Sequence, residues 1–316
     1  MFPDNDWYGH KKILFEYCGI KKLFPIYGIL QHGWYPFTQN NVGKSSIFPD
    51  APYFSWKKNP KNFFKYPDTI NECIGAPFLY LHKIQSKKTK LNGKGTLVFP
   101  AHSNPETIQD VFHEKLIKIV KKKYKGPYKV VLFFTDYKKK NISIYKKSGF
   151  KVFCFGNRGN INFLKNVYKT IASSKTVIST ELSTPIIYSM YLKKKCILID
   201  RDENSKPLNM TSTKDTEAFR KTNFYKKISK GKLSIKDQFK YSQIELGENS
   251  IKSPNELRKI LQIDSFYLSI KSFIFAKMYD FKYGSRARYY GLPKYPTDII
   301  QDMILDQKTS RFKLKK

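Results

Sequence analysis

The 316-residue chain has few acidic residues, few cysteines and no long apolar run. Only 25 residues are Asp or Glu against 59 Lys or Arg, which leaves a formal charge of +34. A field of this sign attracts polyanions such as nucleic acid, anionic lipid head groups or phosphorylated substrates. Lysine is far commoner than arginine and is spread along the chain, so a lysine-rich coding bias explains the same excess. Motifs, rather than net charge, must therefore indicate the partner.

The four cysteines, Cys18, Cys73, Cys154 and Cys196, stand far apart and form no CxxC pair. This spacing argues against a structural zinc site and against a disulfide framework. No apolar run approaches the ~20 residues that a membrane-spanning helix needs, and residues 1–6 lack the charged start and apolar core of a secretory signal. We therefore expect a cytoplasmic protein that makes peripheral contact with the inner face of an anionic membrane.

Residues 95–200 alternate short apolar strands with amphipathic helices, which indicates a parallel sheet covered on both faces. The pattern predicts strands at Thr96–Pro100, Val130–Phe134, Lys151–Phe155, Thr176–Ile178 and Cys196–Ile199, and helices at Pro105–Tyr124, Ile142–Lys147, Asn162–Ala172 and Pro185–Leu192. Earlier strands are predicted at Pro25–Leu30 and Phe78–Leu81, and later helices at Ser253 onward, Phe266–Tyr283 and Pro293–Leu305. The polar stretch 86–95 is typical of an exposed linker.

Two polar turns follow strands of this α/β region, at residues 101–106 and 179–185. In a parallel sheet both turns lie at the carboxyl edge, where open α/β folds bind their ligands. Ser103 and Glu106 form a capping-box pattern, and Thr184-Pro185 suits a second helix start. The free N–H groups of such helix starts can hold phosphate oxygens, and His102 can add a hydrogen bond or a charge. Taken singly, each turn also reads as an ordinary helix cap.

The stretch VISTELSTPIIYSMYLKKKCILI (177–199) resembles the donor-nucleotide half of GT-B glycosyltransferases. It is similar in particular to bacterial surface-polysaccharide enzymes, namely CDP-glycerol polyol-phosphate transferases and transferases that use CMP-activated sialic acid or Kdo. In the CMP-sugar families a His-containing turn and a later Ser/Thr pair grip the nucleotide. The resemblance implies that role for His102, with its neighbours Ser103 and Asn104, and for the pair Ser183 and Thr184. Ser103 stands where those families usually carry Pro.

Two further sets of nucleotide-binding candidates remain open. Ser179 and Thr180 form a second Ser-Thr pair in the same turn, which competes with Ser183 and Thr184 for the role of the nucleotide-binding hydroxyls. The turn after the third strand of the α/β region contains Gly156 and Arg158, which could approach the base or ribose, although a plain loop has the same composition.

The turn Gln31-His32-Gly33-Trp34 follows an apolar strand of the amino-terminal region. It resembles the His-Gly turn at the active site of polyol-phosphate transferases. A histidine has a reference pKa of about 6.5, which suits a base that accepts the proton of an acceptor hydroxyl. We therefore take His32 as the candidate base, with Asp50 and Glu72 in reserve. A structural histidine packed beside Trp34 is the alternative.

The resemblance implies a GT-B-like α/β fold of two Rossmann-like domains with parallel sheets. The expected parts are an acceptor-side domain at 1–92, a nucleotide-donor domain at 95–265, and carboxyl-terminal helices at 266–316 that pack back on the first domain. Asp200-Arg201-Asp202 is the nearest approach to an acidic metal-binding pair and lies in a basic loop, so no metal is expected.

The implied activity is a metal-independent glycosyltransfer that uses a nucleotide-sugar as substrate and needs no further cofactor. A CMP-sugar is the favoured donor, and the acceptor is a hydroxyl of a surface polysaccharide or lipopolysaccharide. Two alternatives stay open: a polyol-phosphate transferase of the CDP-glycerol type, and a basic nucleic-acid-binding protein. No RNP, KH or zinc-finger signature supports a nucleic-acid partner.

Overall fold

The computed structural model describes residues 3–21, 23, 26–35, 51–58, 70–103, 111–199 and 218–263. Asp50, Asn104 and the helices predicted beyond residue 263 lie outside the described residues, so their assignments stay predictions.

The α/β region forms a five-stranded sheet in which every described strand is parallel to its neighbours. Its strands are β4 (Thr96–Phe99), β5 (Tyr128–Val131), β6 (Phe150–Phe153), β7 (Thr176–Ser179) and β8 (Lys195–Leu198). They lie in the order β6-β5-β4-β7-β8, so the direction of winding reverses between β4 and β7. This is the strand order of a Rossmann-type sheet, whose ligands bind at the reversal. The predicted parallel α/β sheet is confirmed.

Helices cover both faces of the five-stranded sheet. They are α3 (His113–Lys123), α4 (Lys139–Lys147), α5 (Phe163–Ala172) and α6 (Thr184–Tyr191). Alternate residues of each strand point to opposite faces, so Leu97 and Val177 join the core with α5 and α6, whereas Val98 and Ile178 join a separate core with α3 and α4. The apolar strand runs of the sequence are explained by this burial on two sides.

A three-stranded parallel sheet precedes the linker and shares the first of these cores. It contains β1 (Ile29–Leu30), β2 (Tyr53–Ser55) and β3 (Asn71–Cys73), in that order, with α1 (His10–Tyr17) and α2 (Pro77–Gln85) packed beside it. Its core is continuous with that of the larger sheet, because Phe78 of α2 stacks on Tyr188 of α6 with ring centroids 4.0 Å apart.

One secondary-structure prediction was wrong, and a second was wrong in part. Phe78–Leu81 was predicted as a strand but lies in α2, because Pro77 opens a helix whose buried residues follow one another without a polar break. A run of this kind has the same pattern as a buried strand. The helix predicted at Pro105–Tyr124 is present at His113–Lys123, but Val111 and Phe112 before it are not helical, and residues 104–110 lie outside the described residues. Phe112 before it is 44% exposed, so its apolar side chain did not mark a buried helical face.

The last described elements return to the three-stranded sheet. They are α7 (Asn223–Ser229), α8 (Ile235–Leu246), a 3-10 turn at Glu248–Ser250 and α9 (Pro254–Ile260). The helix start predicted at Ser253 is confirmed, with a complete capping box to Glu256. Among the described residues, no helix has the length and apolar character needed to cross a membrane.

Candidate functional site

A cleft of about 380 Å³ lies at the carboxyl edge of the five-stranded sheet, where the strand order reverses. The turn after β1 forms its opposite wall. Its volume lies within the range of about 300–1,000 Å³ that small-molecule sites occupy. Five residues predicted from the sequence line it, namely His32, His102, Arg158, Ser183 and Thr184. The structure therefore brings together residues from four turns that are far apart in the chain, from His32 to Thr184.

His32 contacts aromatic rings on two sides. Its ring lies edge-on to Trp7 with centroids 4.7 Å apart, and its Nε2 is 3.1 Å from the hydroxyl of Tyr35. Burial, followed by the positive charge of Arg158, lowers the pKa of His32 to about 4. The imidazole is therefore neutral at pH 7 and carries an unprotonated nitrogen. Glu72, a reserve base, is exposed on β3 and does not line the cleft.

His102 is held by its own turn. Its Nδ1 lies 3.0 Å from the carbonyl oxygen of Ser103, so this nitrogen carries the proton and donates it. The other ring nitrogen, Nε2, remains for a ligand. Ser103 itself is buried and fixed, since its N–H donates to Asp136 over 2.8 Å and its carbonyl accepts from the hydroxyl of Thr135 over 2.7 Å. Ser103 thus orients the His102 ring and does not itself line the cleft.

The two candidate hydroxyl pairs occupy different environments. Ser179 and Thr180 are fully buried and tie β7 to β4, since Ser179 donates to the carbonyl of Phe99 over 2.6 Å and Thr180 accepts from the N–H of Ala101 over 2.7 Å. Ser183 and Thr184 line the cleft at the start of α6. Of the two registers, only Ser183 and Thr184 are placed to touch a ligand in this cleft.

Arg158 extends from a turn whose conformation is stabilised by a glycine and a hydrogen bond within the turn. Gly156 has a φ of +81°, and the side chain of Asn160 donates to the carbonyl of Phe155 over 2.6 Å. The Arg158 guanidinium lies over the Trp7 ring, with its central carbon 4.8 Å from the ring centroid. Gly156 shapes the turn but does not line the cleft.

Several cleft residues were missed in the sequence. His10 of α1 was assigned no role, yet it lines the cleft at 1% exposure, and burial lowers its pKa to about 3. The Gln31 backbone lies near this ring, but neither ring nitrogen forms a hydrogen bond of ordinary geometry. Tyr8, from the same amino-terminal segment, also lines the cleft. No local motif marks either residue, because the packing of α1 decides where they lie.

Glu181 also lines the cleft and was missed, although its position in the sequence could have identified it. It stands inside the 179–185 turn, between the two hydroxyl pairs. Burial raises its pKa, while the positive charges of His102 and Arg220 act in the opposite direction.

A larger and more open groove of about 1170 Å³ runs beside β8 and α3. Its described lining holds lysines such as Lys118, Lys195 and Lys226, with no carboxylate among them. None of the residues predicted from the sequence lies there, so we place the candidate site in the smaller cleft. Within the described ranges, no three His, Cys, Asp or Glu side chains converge as metal ligands.

Comparisons with known proteins are sparse. No protein-family model and no curated protein matches the chain. Among solved structures, a variant of the wall teichoic acid polymerase TagF is 12% identical with a TM-score of 0.40, over 76% of this chain and 69% of that one. A TagF variant soaked with CDPG gives 12% and 0.38, over 76% and 67%. TagF itself gives 14% and 0.35, over 75% and 67%. These values are too low to carry a function, which must rest on the cleft.

Proposed function

We propose that this chain is a transferase that moves a group from a nucleotide-activated donor to a hydroxyl of a surface-polymer acceptor. The observation that supports it best is one cleft whose lining combines His32 with His102, Arg158 and the start of α6. A neutral base thus shares the cleft with a set of anion-binding groups. This is the arrangement that transfer from a nucleotide phosphate to a hydroxyl requires.

The anion-binding wall is supported by three groups. Arg158 supplies a fixed positive charge, and His102 presents Nε2, which donates to a phosphate oxygen when the ring is in its imidazolium form. Ser183 is the N-cap of α6, but its hydroxyl makes no capping hydrogen bond, so it remains for a ligand oxygen. The positive end of the helix dipole adds to the same field. A nucleotide phosphate that leaves with the bonding electron pair would gain negative charge against this wall.

The opposite wall supplies the base. As the acceptor oxygen attacks, its O–H bond breaks and the neutral His32 ring takes the proton. The Tyr35 hydroxyl beside Nε2 fixes the ring orientation. The anion-binding wall suits either a CMP-sugar or a polyol-phosphate donor of the CDP-glycerol type, since both present a cytidine phosphate. The acceptor is proposed to be a surface polysaccharide or lipopolysaccharide, reached from the cytoplasmic face of the membrane.

Selective nucleotide binding is the first test. Thermal unfolding of the full chain is measured in moderate salt with CMP, CDP, UDP, GDP and pyrophosphate. One nucleotide at a concentration 100 times its Kd should stabilise the fold by about 2.7 kcal/mol. His102→Ala should abolish the shift. His82→Gln is the matched control, because His82 bonds to Tyr168 outside the cleft and should leave the shift intact. Equal shifts with every phosphate compound would show that net charge alone attracts them.

Transfer is the second test. With CMP-sialic acid, CMP-Kdo and CDP-glycerol as donors, nucleotide release that depends on a polysaccharide acceptor should identify the donor class. His32→Gln should keep nucleotide binding and lower the rate by roughly 10²–10⁴, the usual contribution of a general base. Unchanged transfer by His32→Gln would remove His32 from the mechanism. Salt-sensitive binding of nucleic acid without any nucleotide selectivity would instead favour the nucleic-acid alternative.

A further inference from the structure

We propose that Arg158 is a positioning residue that makes His32 a weak base in the empty cleft and a stronger base once a phosphate is bound. The inference rests on the proposed function, because it takes the ligand to be a nucleotide phosphate. It adds to that function a specific role for Arg158, which would couple donor binding to proton transfer. The acceptor hydroxyl would then be activated only when a donor is present.

The first support is geometric. Trp7 lies against both residues: its ring centroid is 4.7 Å from that of His32 and 4.8 Å from the central guanidinium carbon of Arg158. One indole thus contacts both the cation and the imidazole. Beside an apolar ring a charge acts on its neighbour more strongly than in bulk water.

The second support is that the amino-terminal segment is fixed to the Arg158 turn. The N–H of Tyr8 donates to the carbonyl of Arg158 over 2.5 Å. Gly9 approaches the same turn so closely that a Cβ there would lie 2.2 Å from the carbonyl oxygen of Ile161. Trp7 is therefore held beside Arg158 by main-chain contacts, and the spacing between the cation and His32 is set by the fold.

The third support is that the Arg158 charge is not neutralised. Among the described residues no carboxylate pairs with it, and its Nε is buried without a hydrogen-bond acceptor. The titratable groups that face His32 from the packed elements are His10, Tyr8 and Tyr35, with His102 and Glu181 in the same cleft. Arg158 is the charge that acts on His32, after burial, in lowering its pKa to about 4.

A phosphate in contact with the guanidinium would cancel that effect. Its negative charge offsets the positive charge of Arg158, so a proton on His32 becomes easier to hold. An opposite charge within about 4–6 Å shifts a pKa by about 1–3 units. Because the two residues meet through Trp7 and no direct contact joins them within the described residues, we take the lower end of that range and expect the bound phosphate to raise the His32 pKa by about one unit.

The test is an NMR pH titration of the full chain labelled at the histidine rings, between pH 3 and 8. The chain has five histidines, and His32→Gln assigns the signal. In the free wild type, the His32 signal should not reach its midpoint above pH 5. CMP or CDP should raise the midpoint by about one unit.

In Arg158→Gln the midpoint of the free protein should rise by a similar amount and no longer respond to nucleotide. Arg158→Lys, which keeps the charge, should behave like the wild type and controls for folding.

The outcomes separate this inference from the proposed function. If nucleotide binds and the His32 midpoint does not move, or if Arg158→Gln titrates like the wild type, the coupling is overturned and the proposed function survives. If Arg158→Gln raises the midpoint but no nucleotide binds to the wild type, the proposed function fails, and the phosphate-dependent coupling fails with it.

Discussion

The two parallel sheets of this protein are stabilised in different ways. The five-stranded sheet has strands of four residues, each paired along its length, and its own helices cover both faces. The three-stranded sheet has strands of two or three residues and relies on side chains from elsewhere. Trp56 beside β2 donates from both its N–H groups to Gln31, and Trp34 after β1 donates to Glu245 of α8 over 2.6 Å.

Both sheets have an edge strand that an amide side chain covers. Asn5 donates to the carbonyl of Gly28 and accepts from the N–H of Leu30, on the edge strand β1. Gln238 of α8 does the same with the N–H and carbonyl of Cys196, on the edge strand β8. An amide can mimic a neighbouring strand because it carries one donor group and one acceptor. Such cover also blocks pairing with another chain.

The comparison teaches that the smaller sheet depends on the carboxyl-terminal end of α8, whereas the larger sheet uses α8 at its strand β8, through Gln238. Glu245 and Leu246 at the end of α8, and Gly247 after it, all contact the three-stranded side. The N–H of Ala76 donates to the carbonyl of Leu246 over 2.8 Å. Changes in this segment should therefore open one sheet before the other.

The largest effect is expected for Gly247→Ala. Gly247 has a φ of +69°, and a Cβ there would lie 1.7 Å from the carbonyl oxygen of Trp56. The loss in unfolding free energy should exceed about 4 kcal/mol, which is exceptional for one substitution. Hydrogen exchange should show protection lost in β2 before β4. Gly231→Ala is the matched control: its φ is +64° but nothing lies within 4 Å, so only backbone strain of about 1–2 kcal/mol applies. Equal losses in the two variants would contradict the close contact.

Glu245→Ala should have the next largest effect. It leaves the buried Trp34 indole N–H without its acceptor and removes the ion pair with Lys57, whose N···O distance is 2.5 Å. An unsatisfied buried donor costs about 1–3 kcal/mol, and we expect a loss of roughly 2–3 kcal/mol in urea unfolding. The control is Glu16→Ala, whose pair with Lys165 also links the two sides but is partly exposed. It should cost under about 1 kcal/mol, and a loss as large as that of Glu245→Ala would be evidence against the argument from burial.

The same contrast explains what could be predicted from the sequence. The five-stranded sheet was predictable because each of its strands and helices repeats a local pattern of buried positions. Strands as short as Ile29–Leu30 and Asn71–Cys73 carry too few residues for any period. Their pairing depends on partners such as Gln31 and Trp56, whose geometry is set by tertiary contacts.

The candidate site was predictable in part for the same reason. His102, Ser183 and Thr184 follow strands of a sheet whose topology fixes where those strands end, and the structure places them in one cleft. Tyr8 and His10 come from the amino-terminal segment, and only the packing of that segment against the Arg158 turn brings them there. A single sequence holds no signal for such a contact.

Acidity should weaken the side of the molecule that contains His10. Because burial lowers the folded-state pKa of His10 to about 3, the unfolded chain binds a proton below its own pKa of about 6.5 while the native state does not. The stability from this group is present above pH 6.5 and is lost as the pH falls towards 3. Urea unfolding at pH 7 and pH 4.5 should show a smaller loss for His10→Phe than for the wild type. An identical loss would mean that the His10 ring is hydrated or paired in the native state.

The smallest effects should sharpen the picture of the larger sheet, whose carboxyl edge is held by its own hydroxyls. Ser179→Ala removes the bond to the carbonyl of Phe99, a buried acceptor between β7 and β4, and should cost about 1 kcal/mol of stability. Ser183→Ala removes no capping bond, so thermal unfolding should hardly change, while the affinity for a cytidine nucleotide should fall by roughly tenfold, as for one lost hydrogen bond. Because the two serines are four residues apart in one turn, each is the control for the other. If Ser179→Ala weakened nucleotide binding at unchanged stability, the competing register of the hydroxyl pair would be the one that contacts the ligand.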